Sequence, residues 1–162
     1  MPPVQIRDGR DQDGPALIAL IGAVFSEYPG CVLDVDGEVP ELRAIATAFR
    51  RAGGWVWVAE QAGTIVGCVG FTQAAQPGGL ELRKLYVARA ARRQGLGARL
   101  CELVEAAARG RGAAFIDLWT DTRFADAHRL YERLGYRRGP TRELHDLSAT
   151  IEYYYRKDLE PR

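Results

Sequence analysis

One segment, Leu80 to Leu103, constrains the fold most, because a strand, a loop rich in arginine and glycine, and a helix follow one another within it. The apolar residues between Leu80 and Val87 lead directly into the turn, which predicts a strand. From Leu96 onward apolar residues recur at helical spacing, so one face of the helix is expected to be buried. The chain therefore passes from a strand through a basic loop to a helix start.

The loop has the composition of an anion site. Gly95 and Gly97 carry no side chains, so a phosphate group can approach the free backbone N–H groups of the first helical turn. Arg89, Arg92 and Arg93 add positive charge close by. These features predict that the helix start binds a phosphate.

The spacing of these residues resembles a known signature. Arg92-x-x-Gly95-x-Gly97 is similar to the (Arg/Gln)-x-x-Gly-x-(Gly/Ala) loop of the GNAT superfamily, the acetyl-CoA-dependent N-acetyltransferases, in which the loop grips the pyrophosphate of coenzyme A. The stretch 109–114 fits the same pattern, but it follows a helix and precedes a strand, so it offers no helix start to a phosphate. Structural context therefore favours the first stretch.

A second motif lies in register with the first. Residues 127–136, AHRLYERLGY, resemble the Ala-x-x-Leu-Tyr-x-x-x-Gly-(Phe/Tyr) helix of the same superfamily. Many members carry an asparagine that touches the cofactor seven residues before the tyrosine, whereas this chain has Phe124. The resemblance therefore implies that this polar contact is missing or comes from Asp121, Thr122 or Arg123.

The resemblance also implies a set of groups that hold acetyl-CoA as co-substrate, without a metal. In the superfamily the strand before the loop bulges and leaves unpaired backbone groups, which bind the pantetheine arm as an added strand would. The implied cofactor-binding residues are Leu85, Tyr86, Val87, Arg92, Arg93, Gln94, Gly95, Leu96, Gly97 and Ala98.

Two side chains are candidates for catalysis. Tyr131 matches the tyrosine that gives a proton to the departing thiolate; alternatively, it fills the core beside its leucine neighbours. Glu81 lies eleven residues before Arg92, the spacing of a glutamate base in histone acetyltransferases of this superfamily. Alternatively, Glu81 pairs with Arg83 on the outer surface.

The remaining segments predict an α/β (α+β) fold in a single domain over residues 1–162. Strands are expected at 4–7, 55–59, 65–71, 80–87, 113–120 and 151–155 and from residue 136, with 113–120 parallel to 80–87 after a helical crossover. Helices are expected after an N-cap at Asp11 or Asp13, from Pro40, from Leu96, and after an N-cap at Asp121 or Thr122. The result is a mixed, mostly antiparallel sheet of about seven strands flanked by about four helices, which is the order of elements in the GNAT fold.

Two nucleotide-binding folds do not fit. The strands at 55–59, 65–71 and 80–87 form a meander, whereas a doubly wound fold alternates strands and helices from its start. Leu100 breaks the Gly-x-Gly-x-x-Gly pattern, and Gly-Lys-(Ser/Thr) is missing. A nucleotide-binding domain is therefore only a distant alternative.

Composition restricts the partners. The 162 residues carry 22 basic and 21 acidic side chains, so no overall field attracts nucleic acid or a membrane surface.

Cys31, Cys68 and Cys101 are odd in number and scattered, which suits reduced thiols in a cytoplasm. His128 and His145 lie far from every cysteine, so no metal spacing is present, and His128 is expected to be exposed. No apolar run is long enough to span a membrane.

These features together predict an acetyl-CoA-dependent N-acetyltransferase in which a primary amine attacks directly in a ternary complex. The alternative is a non-catalytic acyl-CoA-binding or regulatory module with the same fold. The acidic loop that carries Asp34, Asp36, Glu38 and Glu41 suggests a small cationic amine as acceptor, although it is also typical of an ordinary solvated loop. The sequence leaves the oligomeric state open; in a homodimer, the aromatic strand 153–155 could pair with the second chain.

Overall fold

The computed structural model describes residues 2–160, and within them seven strands and five α-helices are found. The strands are β1 (Gln5–Asp8), β2 (Trp55–Gln61), β3 (Thr64–Gln73), β4 (Gly79–Val87), β5 (Phe115–Asp121), β6 (Arg137–Glu143) and β7 (Ile151–Asp158). The helices are α1 (Gly14–Phe25), α2 (Val35–Glu38), α3 (Ile45–Arg51), α4 (Leu96–Gly110) and α5 (Ala125–Arg133). The predicted single domain includes residues 1, 161 and 162, which lie outside the described residues.

The strands form one sheet in the order β1-β2-β3-β4-β5-β7-β6. Neighbouring strands are antiparallel, except that β4 and β5 run parallel, joined by the α4 crossover. This confirms the predicted mixed, mostly antiparallel sheet. Among residues 2–160, no helix is both long and apolar enough to cross a membrane.

Helices cover both faces of the sheet because the strands bury side chains on both sides. The apolar face of α4, with Leu100 and Val104 fully buried, packs with Ile116 on β5 in one cluster. On the other face Leu17 of α1 and Phe49 of α3 pack with strand residues in a second cluster. The sheet thus lies between two apolar layers.

The parallel pair β4 and β5 separates after a short ladder. Pairing covers only Gly79 to Glu81 with Phe115 to Asp117, although β4 continues to Val87. On the other side of β4 the register with β3 shifts, and Lys84 adopts a left-handed backbone with φ 58°. A bulge of this kind bends the strand and re-aims its side chains. The second half of β4 therefore faces a gap in the sheet, as the resemblance implied.

The acidic loop and the helix N-caps differ from prediction. Residues 35–38 form the one-turn helix α2, because the Asp34 carboxylate accepts a hydrogen bond from the Gly37 N–H at 3.1 Å. Asp13 precedes α1, but its carboxylate binds the Arg7 guanidinium rather than the helix N–H groups. Asp11 accepts hydrogen bonds from Thr47. Asp13 therefore occupies the predicted N-cap position of α1 but makes no side-chain capping bond, whereas Asp11 is not the N-cap.

The N-cap of α5 is also different, since Phe124 occupies that position and neither Asp121 nor Thr122 does. The Asp121 carboxylate instead accepts a hydrogen bond from the Arg123 N–H at 2.9 Å.

The prediction of a dimer through strand 153–155 is wrong as well. That segment belongs to β7, which lies between β5 and β6 and has no free edge to offer a second chain.

His128 is buried rather than exposed, which corrects the prediction. It is 5 % exposed, and its Nε2 lies 2.9 Å from the backbone oxygen of Asp121. The rings of Tyr153 and Tyr155 lie beside it, with centroids 5.2 and 6.0 Å away. Burial lowers the pKa of His128 below 6.5, because the charged imidazolium is poorly solvated there.

We expect the free energy of unfolding to fall as the pH is lowered below about 6.5, the ordinary pKa of histidine. The unfolded chain binds the proton more readily than the folded one, so protonation favours unfolding. Denaturation with urea at a series of pH values between about 7 and 5 measures this. His128→Gln should flatten the pH dependence, whereas His145→Gln, at an exposed position, should preserve it. Equal slopes for wild type and His128→Gln would contradict the assignment.

Candidate active site

A groove of about 1020 Å³ runs along the end of β4 and the start of α4, and α1 and α5 form its other walls. Most of the predicted cofactor-binding residues line it: Leu85, Tyr86, Val87, Arg92, Arg93, Gly95, Leu96, Gly97 and Ala98. Gln94 does not line the groove. The structure therefore brings the strand end and the helix start together in one cavity.

Glycine is required at the two motif positions for different structural reasons. Gly95 precedes α4 in the left-handed conformation, with φ 74°, which a residue with a side chain adopts at a cost. A Cβ added to Gly97 would lie 3.0 Å from Cδ2 of Leu130, so Gly97 lets α5 pack closely against the first turn of α4. The N–H groups of that turn have no partner within the helix and face the groove. A phosphate fits such a position.

Arg92 lies in the groove, but its guanidinium is already engaged. Nη1 and Nη2 donate to the two oxygens of Glu27 at 2.6 and 2.7 Å, and Nε donates to the backbone oxygen of Val87 at 3.1 Å. These bonds join the turn after α1, the end of β4 and the loop. Arg92 therefore has a structural role in holding the loop, in addition to the positive charge that the sequence predicted for it.

Other arginines supply positive charge to the groove. Arg89, Arg93 and Arg133 line it, and none of the three forms an ion pair with a residue between 2 and 160. Arg133 comes from α5 and was not predicted, because it falls on a variable position of the motif at 127–136. The helical spacing of Asp126, Leu130 and Arg133 on one face of α5 is the signal that would have found it.

Phe124 fills the position at which many GNAT proteins carry an asparagine. Its ring centroid lies 4.9 Å from that of Tyr28, 6.0 Å from that of Phe25 and 6.5 Å from that of Tyr86. None of the three residues predicted to replace the polar contact, residues 121–123, lines the groove. Arg123 points elsewhere, since its Nη2 donates to the backbone oxygen of Ser148 at 2.5 Å. The wall of the groove is apolar at this point.

A second cavity, of about 390 Å³, meets the first at the gap between β4 and β5. Four residues line both cavities: Leu85, Tyr86, Phe124 and Ala127. Both predicted catalytic residues, Tyr131 and Glu81, line the second cavity. A molecule in the groove and a molecule in this cavity can therefore approach each other at the gap.

Tyr131 is both packed and adjacent to the cavity. It is 4 % exposed, and its ring lies 5.7 and 5.8 Å from the rings of Tyr136 and Tyr155. Burial raises its pKa well above 10, so the phenol keeps its proton at neutral pH. A protonated hydroxyl beside the cavity has the chemistry of a general acid, while the packed ring contributes to the core.

Glu81 pairs with Arg83, as the alternative interpretation held, but it does not lie on the outer surface. Its Oε2 is 3.3 Å from Nη2 of Arg83, and the Glu81 side chain is only 16 % exposed. Burial raises the pKa of Glu81, and the positive charge of Arg83 opposes that shift. A carboxylate with a raised pKa is a stronger base than an exposed glutamate.

Carboxylates outnumber cations on the wall of the second cavity. The acidic residues are Glu38, Glu41, Glu81, Asp121, Asp146 and Glu152, and the basic residues are Arg83, Lys84 and Arg142. Of the acidic loop residues singled out in the sequence, Glu38 and Glu41 reach the cavity. Asp34 and Asp36 do not, because Asp34 caps α2 and Asp36 pairs with Arg43 at the surface. The cavity favours a positively charged occupant.

Comparisons with known proteins show which family the chain resembles. The profile of the Acetyltransferase (GNAT) family matches residues 21–136. The chain is 32 % identical over 129 residues to the uncharacterized N-acetyltransferase YjgM of Escherichia coli, covering 77 % of each protein. An acetyltransferase of the GNAT family from Staphylococcus aureus superposes with a TM-score of 0.83 at 22 % identity, over 98 % of this chain and 100 % of that one.

A further structural relative was solved with a ligand. The yncA protein of Salmonella typhimurium, determined with its cofactor acetyl-CoA, superposes with a TM-score of 0.74 at 18 % identity, over 99 % of this chain and 96 % of that one. At this identity the likeness concerns the fold alone. The family profile covers well over half of the chain, and the relative from Escherichia coli matches over a similar share. The chain belongs to the acetyltransferase (GNAT) family.

Proposed function

We propose that this protein transfers the acetyl group of acetyl-CoA to a primary amine, which attacks directly while both substrates are bound. The observation that carries the proposal is the meeting of two cavities at the gap between β4 and β5. One cavity has the basic helix start and the other has Glu81, Tyr131 and an excess of carboxylates. Adjacent sites of opposite charge suit an anionic donor and a cationic acceptor.

The groove fits acetyl-CoA, which supplies an activated thioester when bound. The N–H groups at the start of α4 would bind its pyrophosphate, with Arg89, Arg93 and Arg133 close enough to add charge. The backbone of Leu85 to Val87 lies beyond the β4–β5 ladder, so the polar groups on that side, other than the Val87 oxygen bound by Arg92, would be available to the pantetheine arm and the thioester carbonyl. The apolar ring of Phe124 would pack against the arm.

The second cavity provides the proton transfers that the reaction needs. An amine attacks only when neutral, so Glu81 accepts a proton from the ammonium form, directly or through water. The new C–N bond forms as the C–S bond breaks, and the Tyr131 hydroxyl gives its proton to the departing sulfur. The nitrogen loses its second proton as the amide forms, and this proton restores the Tyr131 phenolate, directly or through water, while the first proton passes from Glu81 to solvent. Neither residue becomes covalently attached to substrate.

Calorimetry with acetyl-CoA, together with a thiol-release assay on a panel of amines, tests the proposal. The proposal predicts that acetyl-CoA binds and that at least one amine releases free coenzyme A. Binding without release on any amine would favour the alternative, an acyl-CoA-binding or regulatory module of the same fold. A thermal shift with ATP or NAD but none with coenzyme A would contradict both.

The acceptor is proposed to be a small cationic amine, and the lining of the second cavity supports this. Glu38→Gln combined with Glu41→Gln removes two negative charges from the wall, so we expect the KM for a dicationic amine to rise roughly tenfold with little change in kcat. Steady-state kinetics at saturating acetyl-CoA measures it. Asp36→Asn, at the exposed surface outside the cavity, is the matched control. Equal KM values for the double variant and this control would reject the acceptor class.

We further propose a cytoplasmic location, supported by Cys31, Cys68 and Cys101, which are all free thiols.

A further inference from the structure

Among residues 2–160, one buried side-chain oxygen has no hydrogen-bond partner. Asp117 on β5 is 7 % exposed, and its Oδ1 contacts no donor among residues 2–160. Its Oδ2 accepts a hydrogen bond from the Tyr154 hydroxyl at 2.7 Å. A buried oxygen without a partner lowers the free energy of unfolding, so its presence calls for a functional or structural reason.

Strand register places this carboxyl group beside the proposed base. Asp117 is the partner of Glu81 in the last pair of the parallel β4–β5 ladder. The residues before and after each of them, Leu80 and Leu82 on β4 and Ile116 and Leu118 on β5, belong to the core cluster under α4. Because strand side chains alternate between faces, Glu81 and Asp117 both lie on the opposite face, roughly 5 Å apart at their Cβ atoms.

The positive charges around the pair only partly neutralise it. On β4, Arg83 contacts Glu81 at 3.3 Å, but its Nε donates to Thr72 of β3. On β6, Arg142 is 2.8 Å from Glu152 of β7. The other charged or titratable groups on this side are Lys84, paired with Glu41, and Tyr154 and Arg156 of β7, the latter paired with Asp158. Arg83 is therefore shared by the two carboxyl groups, and Arg156, the register partner of Asp117 on β7, adds a second positive charge on the Asp117 side.

We propose that Asp117 is a positioning residue for Glu81: its negative charge, fixed one strand away, strengthens Glu81 as the base that takes a proton from the amine. The inference rests on the proposed function. Asp117 does not touch either substrate cavity and acts only through Glu81. Three effects act on the pKa of Glu81. Burial raises it most, the positive charge of Arg83 lowers it, and the negative charge of Asp117, the third in size, raises it.

Asp117→Asn tests this, because the amide keeps an oxygen for Tyr154 but removes the charge. The first readout is the titration of the Glu81 carboxyl carbon by ¹³C NMR, assigned with Glu81→Gln, which needs no turnover. The second is the acid limb of the pH profile of kcat/KM with an amine that turns over. We expect both midpoints to move to lower pH together, and kcat on the plateau to fall severalfold because a weaker base removes the proton.

Asp121→Asn is the matched control, since it removes a charge from the same face of β5 but pairs in register with Glu152 rather than with Glu81. It should leave the titration of Glu81 unchanged. Asp117→Ser is a second neutral variant should the amide fail to fold, and melting temperatures report on folding for each protein. An unchanged Glu81 midpoint in the folded Asp117 variants would overturn the proposal, and so would a shifted midpoint with an unmoved acid limb. Absence of turnover in wild type would instead defeat the proposed function, while the NMR titration would still decide the coupling.

Discussion

Tyr131→Phe is expected to lower kcat by roughly a hundredfold or more while the affinity for acetyl-CoA stays close to that of wild type. Tyr131 lines the second cavity and keeps its phenol protonated; the substitution removes only the hydroxyl and preserves the packing of the ring against Tyr136 and Tyr155. The departing thiolate then lacks the acid that the proposed mechanism assigns to it. Initial rates under conditions where chemistry limits turnover, together with calorimetry of acetyl-CoA binding, provide the measurement.

Two controls separate catalysis from packing. Tyr136→Phe removes a hydroxyl from an equally buried neighbour that does not line either cavity, and it should leave kcat within a few-fold of wild type. Tyr131→Ala opens a cavity in the core and should cost on the order of 3 kcal/mol of unfolding free energy. If Tyr131→Phe retains near-normal kcat, the ring serves the core alone, and backbone groups and water must carry the proton.

Gly97→Val is expected to weaken coenzyme A binding by tenfold or more. The Cβ alone would lie 3.0 Å from Leu130, and the two methyl groups beyond it would crowd the N–H groups of the first turn of α4. Because the loss falls on the pyrophosphate site, a phosphate-free pantetheine analogue should lose less affinity than coenzyme A does. Calorimetry with both ligands gives the two ratios.

Gly110→Val at the other end of α4 is the control for this substitution. A Cβ at Gly110 meets nothing within 4 Å, so only the helix propensity changes there and coenzyme A affinity should be unaffected. An equal loss for coenzyme A and for the pantetheine analogue in Gly97→Val would mean that the phosphate does not bind at the helix start.

The sequence predicted those parts of the fold that depend on neighbouring residues. The strand, the loop and α4 follow from local spacing, and the parallel pairing of β4 with β5 follows from a helical crossover between them. The resemblance also named Glu81 and Tyr131, which the structure brings to one cavity. The roles of these two residues in transfer stay predictions until the variants are measured.

Features set by distant contacts were not predictable. Arg92 pairs with Glu27, 65 positions away, and no local sequence pattern predicts that bond. His128 stands between apolar positions of an amphipathic helix, which favours exposure, but the tyrosines of β7 cover that side of α5. Asp117 lies beside Glu81 because β4 and β5 pair in a register that extends over only three residue pairs. Each of these depends on tertiary packing rather than on propensity.

Mixing the protein with acetyl-CoA in the absence of any amine tests the central claim, direct transfer in a ternary complex, most directly. We expect acetyl-CoA to bind without release of coenzyme A, and intact-protein mass spectrometry to find no acetylated protein. Addition of an amine that turns over should then release coenzyme A and form the acetylated amine in equal amounts. A burst of coenzyme A equal to the protein concentration before amine is added, with an acetyl group on a side chain such as Cys31 of the second cavity, would contradict the account.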